Sequence, residues 1–148
     1  MEFLKHLKNE WDSPVYKEAY LKLGIPETEI PQRSEGIEFK NGLILSIQGS
    51  FAHYCFPRKT LPYDKYTDME FALCTTEGFK EVKDYINTDE YDKYFEGSVY
   101  GYVPVPKIEK LYLALKEKFS LKEEPFTKES YTEARREFVK LFKGEYGE

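Results

Sequence analysis

Little in this chain advertises chemistry. It holds two cysteines, Cys55 and Cys74, and two histidines, His6 and His53, in 148 residues. Such thiols make neither a disulfide framework nor a C-x-x-C pair, and no Cys/His spacing suits zinc. No metal and no cofactor are therefore expected. A phosphate-binding loop is excluded, because no Gly-rich turn with G-K-[ST] occurs. No apolar run approaches the roughly 20 residues of a membrane-spanning helix. The opening Met1-Glu2-Phe3-Leu4-Lys5-His6 lacks the apolar stretch of a signal peptide. The expected compartment is thus a reducing cytoplasm with both thiols free. Net charge is -5, and the lysines are scattered among glutamates. Without a basic stripe to neutralise phosphates, the composition argues against nucleic acid as a partner.

Aromatic side chains are what the chain has in excess, at 17% with 13 Tyr and 11 Phe. Tyrosine joins an apolar body to a polar tip, which suits ligand pockets, partner surfaces and the margins of a Phe-rich core. An acidic, aromatic-rich protein can also present carboxylates to a basic partner. A chain of this size buries roughly 70% of the surface its unfolded form exposes, enough for one domain without staples. We read residues 1–148 as a single domain.

Phe3, Leu4, Leu7 and Trp11 share one face of a helix predicted over residues 2–11, with His6 exposed on it. Ser13 caps a second helix, with Pro14 at its first position. Its apolar stripe is Tyr16, Ala19, Tyr20 and Leu23, and Gly24 and Pro26 end it, giving an N-terminal αα-hairpin. After a loop, Ile37 to Phe39 and Leu43 to Gln48 read as strands joined by Asn41-Gly42, where both central residues tolerate positive φ. The segment Thr67 to Cys74 alternates, with Met69, Phe71 and Leu73 facing inward. A helix predicted from about Thr76 turns Phe79, Val82 and Ile86 inward. A shorter one after Thr88 carries Tyr91, Tyr94 and Phe95, and Gly97 ends it. Val99 to Val103 is a strand stopped by Pro104. Pro106 opens a helix with Ile108, Leu111, Tyr112 and Leu115 on one face. A last helix after Pro125, capped by Thr127 or by Ser130 with Glu133, buries Tyr131, Ala134, Phe138, Leu141 and Phe142. The whole predicts an α+β domain: a small antiparallel sheet of about four strands covered by helices, with two of them C-terminal.

The stretch Leu43 to Arg58 begins as the most apolar run and ends in His53-Tyr54-Cys55-Phe56-Pro57-Arg58. If the strand runs on past Gly49, His53 and Cys55 share one face and Tyr54 and Phe56 the other. A bulge at Gly49 swaps the two sets. Four readings compete. Cys55 is a thiol nucleophile, with His53 near and Arg58 favouring the thiolate. Alternatively, His53 and Glu70 form an acid–base pair across adjacent strands. In a binding pocket, Arg58 offers a planar fork to a phosphate or carboxylate, and Tyr54, Phe56, Tyr63 and Tyr66 offer faces to a ring. In a purely structural reading, Arg58 pairs with Glu70 or Asp68 and Cys55 is a small core residue. Tyr100-Gly101-Tyr102 is a second candidate, because Gly101 admits close approach.

His53-Tyr54-Cys55-x-Pro57-Arg58, then Tyr66-Thr67-x-x-Glu70, then Val99-Tyr100-Gly101-Tyr102-Val103-Pro104 together resemble a pattern in small uncharacterised proteins of bacteriophages and prophages. The resemblance covers the middle third to half of the chain. It implies a virus-encoded accessory protein in the host cytoplasm, of a kind that binds a host factor or sequesters its signalling molecule. The expectation is a non-catalytic binding protein, accessory or anti-defence in role, whose partner is a host protein or a nucleotide-like small molecule. Its expected contact residues are His53, Tyr54, Cys55, Arg58, Tyr66, Glu70, Tyr100 and Tyr102. A small hydrolase or transferase using His53 and Glu70, or Cys55, is the rival; a virion or assembly component is the third reading.

Overall fold

A computed structural model supplies the architecture, and the structure describes residues 1–122. In chain order the elements are α1 (Pro14–Lys22), β1 (Ile37–Glu38), β2 (Ile44–Gln48), β3 (Asp68–Thr75), β4 (Gly78–Lys80), β5 (Phe95–Glu96), β6 (Val99–Pro104) and α2 (Val105–Phe119), linked by short 3-10 turns. This is the α+β architecture expected, with six strands among the described residues rather than about four. The predicted helix after Pro125 lies outside the described residues.

Alternation makes β3 the centre of the sheet. Met69, Phe71 and Leu73 are fully buried on one face, as are their neighbours Leu45 and Ile47 on β2. One edge of β3 pairs with β2, and the other is shared by β6 and β4, all antiparallel. Helix α2 packs on β3 and β6. It buries Ile108, Leu111, Tyr112 and Leu115, the stripe its spacing predicts. The N-terminal turn Glu2–His6 is fastened to α2: the backbone N–H groups of Glu2 and Phe3 donate to the Glu109 carboxylate, and His6 Nε2 bonds Tyr112 Oη at 2.9 Å.

Three local expectations are corrected. The helix predicted over residues 2–11 is a single 3-10 turn, after which Asn9 bridges to Ser34, so the N-terminal αα-hairpin does not form. Phe3 is the one fully buried side chain of that turn, and helix α1 buries no residue at all; Ala19 and Leu23 of its stripe face solvent. The helix predicted from Thr76 is instead strand β4, where Thr75 pairs with Gly78 across a two-residue turn. Gly78 holds φ +117°, a conformation that ends helices, and Phe79 is exposed rather than inward. Finally, the Asn41-Gly42 hairpin forms, but only Gly42 takes positive φ, at +88°. Gly42 donates to the Phe39 carbonyl and Phe39 to the Leu43 carbonyl, a turn one residue longer than the tight Asn-Gly type.

Candidate functional site

The strand does not run past Gly49. An added Cβ there would stand 2.7 Å from the ring of Tyr66, so glycine is required for close approach rather than for a bulge. From Gly49 the chain leaves the sheet in a chain of turns. His53 N–H donates to the Ser50 carbonyl and Cys55 N–H to the His53 carbonyl. Phe56 then rejoins the sheet margin, its N–H donating to Asp68 and its carbonyl accepting from Thr67. The Phe56–Pro57 peptide is cis. The expected alternation of His53 and Cys55 against Tyr54 and Phe56 therefore does not apply, because no strand geometry exists there.

This excursion sorts the expected site residues into a sealed set and a displayed set. Cys55 is fully buried, with Sγ donating to the carbonyls of Ser50 at 3.2 Å and Pro57 at 3.4 Å. Burial pushes its thiol above the ordinary value, the reverse of what a nucleophile needs. Tyr66 is buried too: its hydroxyl donates to the Lys59 carbonyl at 2.7 Å and accepts from Leu61 N–H at 2.8 Å. Tyr100 stacks flat on Phe71 with centroids 4.5 Å apart, and its hydroxyl accepts from Val82 N–H at 2.9 Å. All three side chains are spent on the interior. His53 shares a 2.6 Å hydrogen bond with Ser50 Oγ, which also accepts from Ala52 N–H. Ser50 is itself fully buried, so the pair braces a turn rather than exposing a hydroxyl. Burial first, then Arg33 and Arg58, hold the imidazole below its usual pKa.

The displayed set is aromatic and cationic. Phe51, Tyr54, Phe56 and Tyr102 are 46%, 38%, 59% and 43% exposed, against 0%, 6% and 1% for Cys55, Tyr66 and Tyr100. The Arg58 guanidinium stands 5.5 Å from the centroid of the Tyr54 ring. Its Nε donates to the Phe51 carbonyl at 3.3 Å, tying residue 58 back across the turn. Tyr54 and Tyr102 face each other with centroids 5.9 Å apart, and Tyr102 N–H donates to the Tyr54 carbonyl at 3.0 Å. Beneath them Gly101 leaves room for Tyr54, whose Cβ would lie 3.0 Å from a Cβ added at position 101. Tyr102 itself holds φ +53°, a left-handed conformation uncommon for a tyrosine.

Glu70 lies below this layer on β3, opposite Gln48. Burial raises its pKa, opposed by hydrogen bonding from the Tyr54 backbone and by Arg58. The structure thus brings Tyr54, Arg58, Glu70 and Tyr102 to one corner, with His53 at its base. It does not bring Cys55, Tyr66 or Tyr100 to the surface of that corner. Phe51 is the residue that sequence reasoning passed over; its signal was an aromatic just after the Gly49 break, where a core strand has no use for one.

Among the described residues no group of three or more His, Cys, Asp or Glu is arranged to hold a metal, and no helix is long and apolar enough to cross a membrane. The chain matches no protein-family model, no curated protein and no solved structure.

Proposed function

We propose that this protein is a non-catalytic binding protein that engages a partner protein through the corner built by Phe51, Tyr54, Phe56, Arg58 and Tyr102. The observation that carries this reading is the display of exposed rings and a guanidinium on a segment whose other side chains are locked inside. Aromatic residues and arginine are the side chains that dominate interface energetics. Their backbone is already fixed by the Tyr102–Tyr54 bond and the Cys55 contacts, so little ordering entropy opposes association. A partner face with an apolar patch beside a carboxylate fits: the patch packs on the rings and the carboxylate meets Arg58. The likeness of the motifs to phage proteins supports a bacterial host cytoplasm as the setting, and a host defence factor as the partner.

Quantitative capture from bacterial lysate tests this. Arg58→Ala and Tyr54→Ala are each expected to reduce capture of the enriched protein about tenfold or more while leaving the circular dichroism spectrum unchanged. Folded variants that retain the same partner at full strength would overturn the assignment. Calorimetric titration with nucleotides addresses the small-molecule version of the reading, in which saturable heat abolished by Arg58→Ala would replace the protein partner.

A further inference from the structure

The sheet has a second face. Helix α2 and the inward side chains of β2 and β3 belong to one core on the first. On the other face the register sets Glu38, Ile44, Cys74 and Phe79 in a single row across β1, β2, β3 and β4. The open face of an antiparallel sheet ordinarily carries polar side chains. Glu38 apart, this row is apolar, a free cysteine behaving as a small hydrophobe. Ile44 and Cys74 are half-buried and Phe79 is 62% exposed. Ala72, two residues back along β3, faces the same way.

The described residues end in this same row. Leu121 bridges to Phe39, just past β1. Lys122 N–H donates to the Glu38 carbonyl, and its ammonium lies 3.0 Å from the Glu38 carboxylate. Residues 123–148 follow, and in them the sequence sets Tyr131, Ala134, Phe138, Leu141 and Phe142 at helical spacing. A helix from Tyr131 to Phe142 is about 17 Å long. The row from Glu38 to Phe79 crosses three interstrand gaps, about 14 Å. Residues 123–130 reach about 26 Å when extended, enough to turn from the β1 edge onto the face. Stripe and face thus agree in length, in apolar character and in where they meet. We propose that the face of Ile44, Cys74 and Phe79 is the docking surface for the chain's own C-terminal segment, which seats Phe138, Leu141 and Phe142 on it. The corner, at the Glu70 end of β3, is left to its partner.

The two thiols supply the test, because Cys55 is buried and Cys74 is not. Alkylation of the full chain by iodoacetamide, followed by mass spectrometry, reads the rate at each. Phe138→Asp is expected to speed reaction at Cys74 about tenfold or more, and Phe79→Asp likewise. The double variant should react no faster than either single one, since both break the same contact. Cys55 should stay unreactive throughout, the sign of an intact fold; where it reacts, the milder Phe138→Ala carries the same comparison. A Cys74 rate indifferent to position 138 would overturn the proposal, as would effects that multiply in the double variant. Protection of Cys74 that fades on dilution would give the face to a second copy. Protection that arises only with a captured partner would give it to that partner, and either result overturns the proposal.

Discussion

Helices α1 and α2 both carry proline in the first turn, and both show an apolar stripe, yet only α2 buries it. Val105, Ile108, Leu111, Tyr112 and Leu115 of α2 lie in the core, while of the α1 stripe Ala19 and Leu23 are exposed and Tyr16 and Tyr20 are only half-buried. What holds α1 is light: Ser13 Oγ accepts from Tyr16 N–H, the Trp11, Tyr16 and Tyr20 rings meet in sequence at tilted angles, and the Tyr16 hydroxyl donates to the Pro31 carbonyl at 3.3 Å. Helical periodicity reports what an element is able to cover, not what it does cover.

The comparison is sharpest at two leucines. Leu111→Ala should cost about 2–5 kcal/mol of stability through lost burial and the cavity left behind, measured by chemical denaturation. Leu23→Ala should stay within about 0.5 kcal/mol. Similar losses at the two positions would make α1 part of the core and erase the distinction. Gly49→Ala comes next, at about 1–3 kcal/mol, because the new methyl meets the buried Tyr66 ring. A neutral result there would mean the turn out of β2 is soft, and the displayed corner with it.

The smallest expected effect is a pH dependence. His53 has its pKa lowered in the fold from 6.5, so on acidification the unfolded chain takes up its proton first. Its contribution to stability is intact above pH 6.5 and drains as pH falls through the folded value. Glu70 runs the other way: raised from 4.5 by burial, it favours the fold as pH falls toward that value. His53→Gln should therefore flatten the loss of stability below pH 6.5 relative to the parent, read from unfolding curves across pH 7 to 5. An unchanged slope would mean the imidazole is not enclosed.

Much of the architecture is legible in single residues. The alternation of Met69, Phe71 and Leu73, the stripe of Ile108, Leu111, Tyr112 and Leu115, and the Ser13–Pro14 start all come through, because each rests on a local period or a local cap. The errors arise where a distant partner decides. Phe79, Val82 and Ile86 have helical spacing, but residues 78–80 pair with β3 instead, and tertiary pairing overrides the pattern. Gly49 looks like an interruption of a strand; its reason is a tyrosine ring 17 residues further on. For the same cause the division of the His53–Arg58 cluster into sealed and displayed halves was invisible: Cys55 and Tyr54 are adjacent in the chain, and only the excursion from the sheet separates them.

In the Gly101-Tyr102 pair the backbone roles are inverted. The glycine sits at an ordinary dihedral and is spent on clearance for Tyr54, whereas the tyrosine occupies the left-handed well that glycine or asparagine takes more cheaply. Sequences evolved in the laboratory for heat resistance alone should accordingly drift toward Gly or Asn at position 102. Sequences evolved for partner capture should keep the ring, so the two lineages would diverge at that codon first.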